Sequence, residues 1–176
     1  MKQHFLKQSF LFLFFLPILS FSQNLCSVLE EILQNETKIE QYKGKEKEKL
    51  WIGGNYESLI EVPGALNSYV NITAATALVS TIFEDPDLKA AEAKYMSFQK
   101  KIEACLGTTY VKSEHIKTTQ GNEANIREMI YTQKGAKTQT LVIQYSKPPI
   151  VEKPKKSDKK LPARILMIFP QNGFYF

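Results

Sequence analysis

The sequence predicts an α+β fold: a two-layer sandwich in the order α-βββ-α-βββ, with a mostly antiparallel sheet and two helices on one face. Three observations predict it. Two stretches, opening at Asn24 and Asp85, carry apolar residues at spacings of three and four behind a capping residue. Two sets of short runs rich in β-branched and aromatic residues follow them, broken by Gly, Pro and Asn. The 176-residue chain is 43% hydrophobic and 23% charged, so it can bury a core and is not wholly disordered.

The N-terminus belongs to no domain. Lys2 and Lys7 precede an uncharged apolar run, Phe10 to Leu19, and Ser20-Phe21-Ser22 supplies a small-x-small cleavage site. That is the pattern of a secretory signal peptide. Ten helical residues at ~1.5 Å each reach about half of a hydrocarbon layer roughly 30 Å thick, so the run is too short to span. Cleavage after Ser22 is expected, which divides the chain into a signal peptide at 1–22 and a single α+β domain at 23–176. The expected location is periplasmic or extracellular.

The first helix runs from Asn24 through Leu25, Val28, Leu29, Ile32 and Leu33, and its stripe resumes at Ile39 after a polar turn at Glu36-Thr37. Residues 43–49 alternate Lys and Glu and read as a solvated connector. Leu50-Trp51-Ile52 and Tyr56–Val62 read as strands around a Gly53-Gly54-Asn55 turn, and Pro63-Gly64 is a second turn. Tyr69–Thr73 and Ala77–Phe83 follow as strands, with a bend at Ala74-Ala75-Thr76.

The second helix is expected at 86–106, with Asp85 as N-cap, Pro86 in the first helical position and Gly107 just past the end. Leu88, Ala91, Tyr95, Phe98, Ile102 and Cys105 form its apolar face. A polar, irregular stretch around His115 and Gly121 leads into a strand at 124–132. There Ile126, Glu128, Ile130 and Thr132 alternate with Arg127, Met129 and Tyr131. Leu141–Tyr145 pairs back as a hairpin across Gly135, and Ile165–Phe169 closes the meander. Between them lies a Lys/Pro-rich loop at 146–163, whose prolines exclude a central strand.

Charge and sulfur narrow the function classes. After cleavage 21 basic side chains face 18 acidic ones, and six lysines against two acids fall between Lys147 and Lys160. The sequence pI near 9.1 is thus a property of one segment and the leader, which excludes a basic nucleic-acid-binding face. In an exported chain the two cysteines, Cys26 and Cys105, are expected to pair, joining the start of one helix to the end of the other. A reactive thiol at Cys26 would need a lowered pKa, and export favours the disulfide.

Catalytic patterns are thin. His115 is the single histidine left after cleavage, and a Cys105–His115 pair competes with the disulfide. One histidine and two paired cysteines do not make a zinc set. An oxygen-only calcium site at Glu84-Asp85-Asp87 is more simply a helix start. Carboxylate pairs occur in any chain with 18 acids; Glu57 and Glu61, four apart in the Tyr56–Val62 strand, share a face and would flank a sugar only if that face lined a cleft. Gly53-Gly54 is turn chemistry rather than a phosphate loop.

Asn35-Glu36-Thr37 and Asn71-Ile72-Thr73 are formal glycosylation sequons, and Phe174-Tyr175-Phe176 forms an aromatic end. The loop lysines Lys153, Lys155, Lys156, Lys159 and Lys160 suit an anionic envelope surface. No catalytic, cofactor-binding or metal-binding residue is assigned, and no transmembrane span is expected. The expectation is a small exported, non-catalytic binding protein whose partner is another exported protein or an anionic envelope surface. The alternative is a secreted hydrolase using carboxylates the sequence does not single out.

Overall fold

Helices form where the chain can be capped, and strands form where side chains alternate. The computed structural model describes residues 24–118, 125–136, 140–148 and 162–171. Helix α1 (Leu25–Gln34) begins at Asn24, whose side chain accepts the Cys26 backbone N–H at 3.1 Å, and it buries Val28, Leu29 and Ile32. A kinked 3₁₀ segment, Glu36–Tyr42, continues the stripe through Ile39 and Tyr42. Four strands follow: β1 (Lys43–Lys49), β2 (Gly54–Ser58), β3 (Asn67–Ile72) and β4 (Thr76–Asp85). Helix α2 (Leu88–Leu106) stops at Gly107, where φ of +58° favours glycine. Four more strands complete the chain: β5 (Tyr110–Thr118), β6 (Asn125–Gln133), β7 (Leu141–Ser146) and β8 (Ala163–Pro170).

The eight strands make one sheet, antiparallel at every interface, in the order β1-β2-β3-β4-β8-β7-β6-β5. Each half is a helix followed by a four-strand meander, and the meanders meet through their last strands, β4 and β8. One face of the sheet carries the main core. There α1, the 3₁₀ segment and α2 bury their stripes against Val70, Leu78, Met129, Ile143, Ile165 and Phe169. At its centre the Tyr95 ring of α2 stacks on Tyr145 of β7, with centroids 5.3 Å apart. Cys26 and Cys105 form a disulfide that ties the first turn of α1 to the last turn of α2. No helix among the described residues is long and apolar enough to cross a membrane.

The α-βββ-α-βββ order counts three strands per half, although the first half offers four strand-like runs including Leu50-Trp51-Ile52, and the structure has four strands in each half. The added strands are β1, expected as a charged connector, and β5, expected as an irregular stretch. Both are sheet edges, solvated on both faces, so neither needs apolar alternation; the lysines along β1 also discourage edge-to-edge pairing.

Leu50-Trp51-Ile52 is not a strand but the tip of the β1–β2 hairpin, closed by the Leu50 N–H donating to the Gly53 carbonyl at 3.1 Å. Gly53 is required there: its φ is +76°, and a Cβ would overlap the Ile72 carbonyl. Strand β2 ends at Ser58, and Ile60 and Val62 enter the core from an irregular segment. The N-cap of α2 is Asp87 rather than Asp85. Its carboxylate accepts the Lys89 and Ala90 N–H groups, while Asp85 accepts the Asp87 N–H at 2.7 Å.

Candidate functional site

Strand alternation sends every second side chain away from the helices. On β4 these are Ala77, Val79 and Thr81, and register carries the row across the sheet. Ile168 lies beside Val79 and Leu166 beside Thr81 on β8, then Val142 and Gln144 on β7, Ile130 and Glu128 on β6, and Ser113 and His115 on β5. On the other side Tyr69 and Asn71 of β3 adjoin Val79 and Ala77, and Glu57 and Asn55 of β2 adjoin them in turn.

The centre of this face is apolar. Ala77, Val79, Ile130, Val142 and Ile168 form a second cluster that includes no helix residue, and each is at most 8% exposed. Two polar groups flank it. On one side Glu128 is 1% exposed and meets the Lys117 ammonium at 3.0 Å and the Gln144 amide at 3.1 Å. A carboxylate placed so deeply requires such partners, since an unpaired buried charge is strongly unfavourable. On the other side an amide chain crosses three strands: Asn55 donates to Glu48 at 2.8 Å, and Asn71 donates to Asn55 at 2.7 Å.

Towards the rim, Arg164 donates to Glu84 at 3.1 Å, and the half-buried Tyr69 and Leu166 border the apolar centre. Burial pushes the Tyr69 phenol above its ordinary pKa, against the pull of the Arg164 cation. The groups left accessible on this face are polar, among them His115, Lys117 and Arg164, and they border a strip that is itself buried.

The residues singled out in the sequence are scattered by the fold. The disulfide brings Cys26 and Cys105 together, so neither sulfur is a thiol. His115 sits on the helix-free face and pairs in register with Glu128, whereas Cys105 packs against the helix-side core. The two cannot form a nucleophile–base pair.

Glu57 and Glu61 do not share a strand, because β2 ends between them; both are exposed and line an open groove with Lys47 and Pro63. Each acid of the Glu84-Asp85-Asp87 group already has a structural partner, in Arg164, the Asp87 N–H and the first turn of α2. No group of three or more His, Cys, Asp or Glu suited to a metal occurs among the described residues. Asn35 donates to the Glu31 carbonyl, and Asn71 belongs to the amide chain, so both sequon amides are engaged. Lys153, Lys155, Lys156, Lys159, Lys160 and the end Phe174-Tyr175-Phe176 lie outside the described residues.

Two features escaped the sequence. The burial of Glu128 was signalled only by its place between Ile126 and Ile130 in an alternating run. The projection of Trp51 was signalled by the Gly53-Gly54 pair directly behind it. Set beside known families, curated proteins and solved structures, the chain matches none of them.

Proposed function

We propose that the chain is an exported, non-catalytic binding protein that engages a partner protein with the helix-free face of its sheet. The breadth of that face supports the reading best. Eight strands about 4.8 Å apart and roughly six residues deep at ~3.3 Å each span on the order of 760 Å². That extent runs from edge to edge and includes a central strip that is already buried, whereas one partner in a stable complex contributes about 800 Å² of accessible surface. The surface a partner would meet is therefore the border, with Tyr69, Leu166 and Gln144 half-buried and His115, Lys117 and Arg164 exposed. The disulfide fits an oxidising, exported setting. The lysines of the 146–163 loop would assist by holding the protein near an anionic envelope surface.

Affinity capture from the exporting cell's envelope tests this. The double variant Leu166→Glu with His115→Glu alters the face, and Lys100→Glu with Lys101→Glu alters the exposed side of α2. The expected result is a protein captured by the wild type and the helix variant but lost from the face variant, with all three melting alike. Capture that survives the face change and fails with the helix change would place binding elsewhere.

A further inference from the structure

We propose that the β1–β2 hairpin tip is a contact for an anionic membrane surface, separate from the sheet face and able to act without it. Trp51 is the chain's single tryptophan and is 98% exposed; beside it Ile52 is 55% exposed. The tip is held firmly. Leu50 closes it through Gly53, Gly53 packs directly on the Ile72 carbonyl, and the Glu48–Asn55–Asn71 chain braces the strands beneath.

The adjoining β3–β4 turn, Thr73-Ala74-Ala75, also carries no charge. Two abutting turns therefore form one corner of the sheet, with the Glu40 carboxylate beside the second at the Thr76 hydroxyl, 3.4 Å away. Behind them β1 bears Lys43, Lys45, Lys47 and Lys49 against Glu46 and Glu48. None of these four lysines forms an ion pair among the described residues, though Lys43 lies over the Tyr56 ring at 4.5 Å, which leaves Lys45, Lys47 and Lys49 to face headgroups; Glu48 is hydrogen-bonded by Asn55.

Indole prefers the headgroup level of a bilayer, where its apolar body and its N–H are both satisfied. Lysines one to a few residues behind would meet anionic headgroups. A pocket on a protein would take the indole alone, leaving the lysine row and the second uncharged turn without a role. A fluid surface uses all three. One indole, one isoleucine and a few lysines give reversible association, on the order of 10⁴ M⁻¹ or weaker, the level of a single acyl chain.

The lone tryptophan is its own reporter. The chain, purified in the form the cell leaves it, is titrated with vesicles of three parts phosphatidylcholine to one part phosphatidylglycerol, and separately with phosphatidylcholine alone. The expected result is a blue shift of emission and a loss of iodide quenching with the anionic vesicles only. Lys47→Glu with Lys49→Glu should weaken that binding more than tenfold, at roughly fivefold per lysine removed from the surface. Trp51→Ala should weaken flotation with the same vesicles without changing the melting temperature. Unchanged emission with anionic vesicles overturns the proposal. So does flotation without a spectral change, which would assign binding to another surface, and so does an equal shift on neutral vesicles.

Discussion

The two halves of the molecule repeat one order of elements but are stabilised differently. In the second half α2 runs 19 residues, buries six side chains and is followed by a β5–β6 ladder of nine consecutive pairs. In the first half α1 has 10 residues, the chain continues as kinked 3₁₀ helix, and the β1–β2 ladder is interrupted twice by register shifts. The disulfide joins the short helix to the end of the long one. The second half therefore holds itself together by packing, while the first depends on a covalent tie and on its β4 seam with β8. Its irregular ladder is also the one that carries the projecting tip.

The largest expected effect breaks that tie. The disulfide closes a loop with a sequence separation of 79 residues, for which chain entropy gives about 4.5 kcal/mol as an upper figure. Cys26→Ser with Cys105→Ser should lower the unfolding free energy by several kcal/mol. Hydrogen exchange should show α1 and the 3₁₀ segment losing protection before α2 does. Equal loss across both helices would contradict the comparison.

Alkali should act on the other half first. Burial pushes the Tyr95 phenol up to about 12, and burial beside the Glu103 carboxylate raises Tyr131 as well. A phenol whose pKa is higher in the folded state stabilises fully below its unfolded value near 10, and that stability is lost as pH rises through the folded value. For Tyr95 the shift corresponds to roughly 2–3 kcal/mol, so unfolding between pH 10 and 12 should start around α2 and β6. The Tyr95 hydroxyl has no hydrogen-bond partner among the described residues. Tyr95→Phe should therefore be neutral or stabilising by up to about 1 kcal/mol at pH 7, and should move the alkaline midpoint upward.

Smaller changes separate the tip from the ladder that carries it. Gly53→Ala meets both an unfavourable φ and the Ile72 carbonyl, and should cost about 1–3 kcal/mol, read as faster exchange confined to β1 and β2. Trp51→Ala touches almost nothing and should change stability by less than about 0.5 kcal/mol. A large effect at Trp51 would mean that the indole packs against the protein.

Where burial imposes a period, the fold was legible in the residues. Both helices, the inner strands and the cysteine pair follow from apolar spacing, caps and parity. The edges were not legible, because Lys43–Lys49 and the stretch around His115 are solvated on both faces and carry the composition of loops while forming strands. Leu50-Trp51-Ile52 misled in the opposite sense: three apolar residues read as a strand, yet they turn. The signal was the glycine pair behind them, which permits a tight reversal. The helix-free face was half legible. Alternation in β6 placed Glu128 and Ile130 on one side, but their depth depends on Gln144, Val142 and Ile168, brought beside them by a strand order that no local pattern encodes.

The most direct measurement of the central claim is residue-level oxidative footprinting of the protein in envelope extract against the purified chain. Tyr69, Leu166 and His115 are expected to be protected in extract, with Met96 on the exposed side of α2 labelled equally in both. Protection at Met96 with Tyr69, Leu166 and His115 unchanged would contradict that claim.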